Sequence, residues 1–225
     1  MTSTDEARKE LGRALDSLEA EVVAMGAEAR RALADAVEAL VAEDAAACEA
    51  VVAGDDAIDR AHLEVEQHAI ELLARQQPVA GDLRRVVACL HVALHLERVG
   101  DQAVRIAQAG ARAAPLPADS ALLQRVVVAA EAAVDMVEGA LEALAAHDVE
   151  RALEVAELDE RVDAADRAIA GEVVQLSADA SGREWAQLAL DVSRRAERAA
   201  DHAVDVCEQV VYLVTGELRE LDRSR

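Results

Sequence analysis

Apolar residues recur every three or four positions along most of this chain. In the first segment they run through Leu11, Leu15, Leu18 and Val22. This spacing places them on one face of an α-helix, as in helices that pack against a core. Few residues interrupt the pattern, and the clearest breakers are Pro78 and the pair Pro115 and Pro117.

These breakers divide the first half into three predicted helices, at about 5–41, 44–76 and 79–111. A second set begins at Asp119–Ser120, which we interpret as an N-cap, and is interrupted near His147–Asp148 and at Ala178–Gly182. We therefore predict an all-α fold of two tandem three-helix bundles. The predicted domains are residues 5–112 and 119–217, followed by a charged tail at 218–225.

Composition agrees with an all-helical chain and narrows its partners. Its 225 residues include no Phe, one Trp, one Tyr and ten Gly, a poor composition for strands. The formal charge of −22 argues against nucleic acid and anionic membranes as partners, and favours cations or basic protein surfaces. Because no signal peptide or membrane span is evident, we expect a cytoplasmic protein without direct membrane insertion. We interpret Cys48, Cys89 and Cys207 as small buried apolar residues.

One acidic helical motif occurs twice, one hundred residues apart. Glu97-Arg98-Val99-Gly100-Asp101 returns as Glu197-Arg198-Ala199-Ala200-Asp201. The match indicates an internal duplication that relates the two predicted bundles. Each motif places two carboxylates four residues apart on one helix face, where like charges repel each other.

Further acidic pairs lie at matching heights on the preceding helices. In an antiparallel hairpin, residues equidistant from the turn lie at the same level. Pro78 is midway between Asp59 and Glu97 and between Asp55 and Asp101, and position 180 plays the same role in the second half. The sequence therefore predicts one carboxylate cluster in each half. Their members are Asp55, Asp59, Glu97 and Asp101 in the first and Asp159, Asp163, Glu197 and Asp201 in the second.

Two other interpretations of these acids stay open at this point. Acidic residues number 45 of 225, so about nine acidic pairs at this spacing are expected by chance on solvated helix faces. Arg98 and Arg198 offer an ion-pair network between helices instead. If the clusters are real, their oxygen ligands favour divalent or iron-type metal ions of unknown identity. Gly100 and Ala200 are interpreted as sites of close helix packing.

The histidines are weaker candidates for chemistry. His91 and His95 are one turn apart and offer two metal ligands, but in an apolar stretch of helix the preferred interpretation is that they pack. His202 lies about 100° around the helix from Asp201. We expect it at most to contact the metal-binding side chains of that cluster, not the metal itself.

Three segments carry a resemblance to a known family. They are ELLARQQPVAGDLR at 71–84, LERVGD at 96–101 and QVVYLVTGE at 209–217, and Met25–Gly26 and the residues Asp56, Ile58 and Asp59 agree with them. In this order, and over nearly the whole chain, they resemble the PhoU family of phosphate-signalling regulators.

The resemblance implies tandem three-helix bundles in a homodimer that acts by binding rather than catalysis. It implies a negative regulator of phosphate uptake and phosphate-starvation signalling. Such a protein is a cytoplasmic adaptor between the ATPase subunit of a phosphate ABC transporter and a sensor histidine kinase. Some members carry metal clusters on the repeated acidic motifs and others are metal-free, so the two carboxylate clusters become the expected metal sites.

The chain departs from the family pattern eight residues after each motif glutamate. The family commonly has Asn there, whereas this chain has Arg105 and Asp205. We expect Arg105 to pair with acids and weaken the first site, and Asp205 to add an oxygen ligand to the second. The hypothesis is that the second site binds metal better.

Two alternatives from other classes remain. A carboxylate-bridged metal-binding bundle with a redox or metal-storage role also uses inward acids, but its Glu-x-x-His signature is absent. A structural adaptor would use the same acids only to dock a basic partner.

Overall fold

The computed structural model describes residues 3–176 and 180–221, which form helices joined by turns. In chain order the helices are α1 Ser3–Val41, α2 Ala45–Gly54, α3 Asp56–Gln76, α4 Gly81–Ala113, α5 Ser120–Ala146, α6 Val149–Ala156, α7 Asp159–Gln175 and α8 Ala180–Thr215. The all-α prediction is confirmed. Helices α1–α4 form the first repeat and α5–α8 form the second.

The repeats match in the turns as well as in the helices. Asp44 and Asp148 cap the N-termini of α2 and α6. The Asp44 side chain accepts hydrogen bonds from the backbone N–H groups of Ala46 and Ala47, and that of Asp148 accepts one from Arg151. The residue before each cap, Glu43 or His147, adopts a left-handed conformation with φ 51°. A left-handed residue followed by an aspartate cap is an efficient way to end one helix and start another. The duplication is therefore preserved at the level of backbone conformation.

The prediction of one continuous second helix in each bundle is wrong. The second helix of each bundle is broken in two, at Asp55 between α2 and α3 and at Glu157–Leu158 between α6 and α7. In the first repeat Gly54, a weak helix former, immediately precedes the break. In both repeats the new helix starts with acidic residues, which the positive end of the helix dipole favours. Each three-helix bundle thus contains four helical segments.

The long helices bring the two repeats together. Helix α4 packs against α1 and α8 packs against α5, while α4 and α8 also pack extensively against each other. His95 of α4 meets Asp205 of α8, and Arg105 lies with Arg195, so α4 and α8 run antiparallel. We call the contact between them the seam. The buried apolar residues form one cluster from α1 to α8, so the repeats share a core.

The turns that set the level of the acidic residues differ in how much of them is described. Between α3 and α4 the chain reverses around Pro78, as predicted, with Gln77 and Ala80 at positive φ. The corresponding break predicted at Ala178–Gly182 lies partly outside the described residues, and α8 already starts at Ala180. In the second repeat, the contacts between side chains of α7 and α8 therefore establish which residues lie at the same level.

Other predictions concern the cysteines, the tail and membranes. All three cysteines are buried free thiols, as expected. The tail is helix-free up to Leu221, whose backbone N–H donates to Oε1 of Glu208 at 2.8 Å, so this part of it returns to the bundle. Among the helices described, none has the length and apolarity needed to cross a membrane.

Candidate functional site

The second repeat gathers its predicted acids most tightly. Asp159 and Asp163 project from the start of α7, and Asp201 projects from α8. One carboxylate oxygen of each lies within 4.8 Å of the others. Asp159 is buried and the other two are half-buried. These three carboxylates were predicted to share a level, and the structure brings them together.

The fourth predicted member, Glu197, lies beside this group on α8. Burial, followed by the charges of Asp201 and Asp163, raises the pKa of Glu197 to about 7. The shift arises because desolvation and like charges both penalise the ionised carboxylate. We call Asp159, Asp163, Glu197 and Asp201 the second acidic cluster.

The first acidic cluster, Asp55, Asp59, Glu97 and Asp101, is also assembled but looser. Burial and then the charges of Asp59 and Asp101 raise the pKa of Asp55, and burial and then Asp101 raise that of Glu97. Asp59 and Asp101 are exposed. Within the described residues, no three acids of this cluster bring oxygens within 4.8 Å of one another.

The described residues do not form the alternative network of ion pairs through Arg98 and Arg198. Among the described residues, no ion pair within 4.0 Å joins Arg98 or Arg198 to a carboxylate. One cation beside the second cluster is Arg167, whose Nη1 lies 3.0 Å from Oδ2 of Asp163. Arg98 and Arg198 act on Glu97 and Glu197 through their charge, which opposes the rise in the pKa of each glutamate.

The donor set of the second cluster fits a hard or intermediate cation. Three carboxylates supply oxygen ligands on two rigid helices, and such ligands suit Mg²⁺, Mn²⁺, Ca²⁺ or iron. A cation there would also offset the like charges that, in addition to burial, raise the pKa of Glu197. Asp159, Asp163 and Asp201 would hold the cation, and its positive charge would offset their negative charges.

Small residues at the motif centres pack as expected. A methyl group at Gly100 would lie 3.0 Å from Cδ1 of Ile58, so α3 approaches α4 closely at the first cluster. Ala200 is fully buried at the equivalent point. This close packing positions the acidic faces of paired helices opposite each other.

Both residues that depart from the family pattern behave differently from the expectation. Asp205 contacts His95 and His202, so it is not a ligand of the second acidic cluster. Arg105 faces a groove at the seam with Asp191 and Arg195, and no ion pair within 4.0 Å joins it to a described carboxylate. Eight positions beyond the motif glutamate, a side chain leaves the helix in a different direction and faces the seam.

The histidine interpretation is also corrected. Nδ1 of His95 lies 3.0 Å from Oδ2 of Asp205, and Nδ1 of His202 lies 3.2 Å from the same oxygen. The two rings are 5.6 Å apart between centroids. His91, in contrast, is exposed. We call His95, His202 and Asp205 the seam cluster. The i,i+3 spacing of His202 and Asp205 could have indicated this pair from the sequence. Their partner on α4, His95, could be found only once the contact between α4 and α8 was known.

Fold and sites together define a class of protein: an all-helical chain built from a repeated bundle, with one acidic cluster in each repeat. A family model described as the PhoU domain matches residues 22–110 and again residues 126–210. The chain belongs to the PhoU family.

Relatives of known name agree over almost the full length. A phosphate-specific transport system accessory protein PhoU homolog of Caulobacter vibrioides is 33% identical over 215 residues, covering 95% of this chain and 94% of that protein. A homolog of the same name from Clostridium acetobutylicum is 32% identical, covering 92% of this chain and 95% of that protein.

Solved structures confirm the arrangement of the repeats. The phosphate transport system regulatory protein PhoU from Streptococcus pneumoniae aligns with a TM-score of 0.85 at 27% identity, over 93% of this chain and 99% of that one. PhoU from Pseudomonas aeruginosa aligns equally well, at 28% identity over 92% of this chain and 99% of that one.

Proposed function

We propose that this chain is a regulatory accessory protein of phosphate transport that works by binding other proteins. The observation that carries the proposal is the tandem PhoU domain, which extends over both repeats. It is supported by relatives that are named accessory or regulatory proteins of phosphate transport and that match nearly the whole chain. Those names describe regulators rather than enzymes.

The partners proposed are the ATPase subunit of a phosphate ABC transporter and a sensor histidine kinase. In this role the chain joins the two in the cytoplasm and represses phosphate uptake and starvation signalling. A formal charge of −22 supports docking to basic protein surfaces, because complementary charge accelerates encounter and suppresses wrong partners. The long, rigid helices supply extended faces for two partners at once.

The acidic clusters are proposed to bind a cation that supports docking. The second cluster is the better candidate because its oxygens converge and its members are more buried than those of the first. We retain the hypothesis that the second site binds metal better, now on the basis of this geometry. A homodimer is part of the proposal, and light scattering on the purified protein tests it.

Binding measurements on one double variant separate metal binding from docking by charge. Glu197→Gln/Asp201→Asn removes two carboxylates of the second cluster. The matched control is Glu131→Gln/Asp135→Asn, because Glu131 and Asp135 have the same spacing and residue types but are exposed on α5. The affinity of each protein for the purified ATPase subunit is measured by calorimetry, with Mn²⁺ and then with chelator.

If the proposal holds, the wild-type protein binds the ATPase subunit and Mn²⁺ strengthens that binding. The cluster variant loses the Mn²⁺ effect, while the control variant keeps it. Equal, metal-independent losses in both variants would mean that the acids act only as a charged docking face. No binding of the wild-type protein to either the ATPase subunit or the kinase would overturn the adaptor role.

A further inference from the structure

The seam cluster joins one residue of the first repeat to two residues of the second. His95 comes from the middle of α4, and His202 and Asp205 come from successive turns of α8. One ligand atom of each lies within 4.8 Å of the other two. The side chains of His95 and His202 are only 14% and 16% exposed, and that of Asp205 is 39% exposed. The cluster is thus held by the protein but open to solvent on one side.

The seam cluster leaves one of its polar atoms incompletely satisfied. Nδ1 of His95 is buried, and no hydrogen bond of good geometry reaches it, although Oδ2 of Asp205 is 3.0 Å away. The same Oδ2 lies 3.2 Å from Nδ1 of His202. Two ring nitrogens therefore converge on a single oxygen, and one of them lacks an aligned partner. Buried polar atoms without a hydrogen bond are uncommon and call for an explanation.

We propose that His95, His202 and Asp205 form a binding site for a single transition metal ion such as Zn²⁺, which clamps α4 to α8. Two imidazoles and one carboxylate are a typical donor set for Zn²⁺ with a fourth position left for water. Imidazole also separates this site from the acidic clusters, because Mg²⁺ and Ca²⁺ prefer oxygen ligands alone.

Two of the three distances between donor atoms suit this ion. With bonds of about 2.0–2.1 Å, the edges of a tetrahedron around Zn²⁺ measure about 3.3 Å. The two Nδ1–Oδ2 distances, 3.0 and 3.2 Å, are close to such edges. An ion placed between the three atoms would replace the contacts that the nitrogens now share. Both histidines would bind through Nδ1, the atom that already points into the cluster.

The seam cluster is a separate site from the acidic clusters. His95 precedes Glu97 by two residues, so the two side chains leave α4 about 200° apart. His202 is about 100° around α8 from Asp201. The surrounding charge also favours a cation, since Glu208 lies within electrostatic reach of His95 and Asp205 and the chain as a whole carries −22.

A metal in this position would act on the contact between the repeats. Helices α4 and α8 make one of the most extensive helix contacts of the described chain and connect the two acidic clusters. A bond network through one ion would fix their relative rotation and slide. Zinc-dependent stability and slower exchange of seam amides are therefore the expected consequences.

Histidine-ring NMR on the full chain tests the site directly. The protein is titrated with Zn²⁺ in a large excess of Mg²⁺, which occupies carboxylate sites but does not compete for imidazole. One equivalent of Zn²⁺ should shift the ring signals of His95 and His202 while leaving His91 unchanged. The exposed His91 is one turn from His95 on the same helix and serves as the internal control.

Variants make the result specific. Removing a residue that merely hydrogen-bonds a metal ligand weakens metal affinity about 10- to 100-fold, so His202→Asn and Asp205→Asn should each cost about 100-fold or more. His91→Asn should retain wild-type affinity. Circular dichroism without metal shows whether each variant is folded, and the His95→Asn variant provides a second test if one of the α8 variants is not.

Three results would overturn the proposal. The first is no shift of the His95 and His202 signals at millimolar Zn²⁺. The second is one-equivalent binding that survives in the folded His202→Asn and His95→Asn variants. The third is binding at the seam that leaves both the unfolding midpoint and the exchange of α4 and α8 amides unchanged. In that case the metal would not clamp α4 to α8.

Discussion

Ionised Glu197 should destabilise the metal-free protein at neutral and alkaline pH. Burial, and then the charges of Asp201 and Asp163, raise its pKa from 4.5 to about 7. The perturbation we consider is Glu197→Gln, which keeps the shape of the side chain and removes its charge. It tests whether the cluster is an electrostatically strained arrangement or only a wet acidic face.

The sign follows from proton binding. Between pH 4.5 and about 7 the folded state holds a proton on Glu197 that the unfolded chain has released, so stability falls as the pH rises through this window. At about 1.4 kcal/mol per pKa unit, the full shift corresponds to about 3 kcal/mol. Because Glu197 is only partly buried, solvent screening reduces this to about 1–2 kcal/mol.

Urea unfolding in chelator, followed by circular dichroism from pH 4 to 8, measures the effect. At pH 8 the Glu197→Gln variant should be more stable than wild type by about 1–2 kcal/mol. At pH 4 the difference should vanish, because the wild-type glutamate is then protonated. Glu131→Gln, an exposed glutamate on α5 with an aspartate at the same spacing, should change stability little at either pH.

A saturating cation should reverse the order. If Mn²⁺ binds the second cluster, it stabilises the folded wild-type protein and binds the variant less tightly, so wild type becomes the more stable of the two. The reasoning is refuted if Glu197→Gln is no more stable than wild type at pH 8 in chelator. A gain in stability that is the same at pH 4 and pH 8 would refute it equally.

Four further variants or treatments have definite outcomes. Gly139→Ala should lower the free energy of unfolding by about 1–3 kcal/mol, because the new methyl would lie 2.6 Å from a methyl carbon on α6. A methyl group at Gly171 would meet nothing within 4 Å, so Gly171→Ala should raise the free energy of unfolding by about 0.5–1 kcal/mol. Urea unfolding measures the effect of both substitutions. Asp148→Ala removes the cap of α6 and should cost about 1 kcal/mol in the same assay. Burial raises the pKa of Cys89 and Cys207 to about 12, so both thiols should resist Ellman's reagent until the protein is unfolded; rapid labelling of the native protein would contradict this.

Features that depend on one helix or one hairpin were predictable from the sequence. The spacing of Glu97 and Asp101, and the position of Pro78, set both the face and the height of the first acidic cluster. Position 180 set the level of the second cluster in the same way, although its turn lies partly outside the described residues. The breaks within the second helix of each bundle were missed because only Gly54 marked one of them, and helix patterning continues across both.

Features that depend on the contact between repeats were not predictable in the same way. Which face of α4 meets α8 follows from the packing of the complete core, and a single sequence does not specify it. For that reason Asp205 was assigned to the second acidic cluster, and His95 to packing. Once α4 and α8 are known to be antiparallel, position 95 on one helix must lie near position 205 on the other.

The duplication gives the seam two equivalent ends, and they have diverged. One end holds His95 beside Asp205, and the equivalent end places Arg195 beside Arg105. Arg195 donates instead to Asp191 on its own helix at 3.0 Å. The acidic motifs, in contrast, are retained in both repeats. Because the seam cluster lies at one of the two equivalent ends, a metal bound there would act on the relation between the repeats rather than on a function that each repeat performs alone.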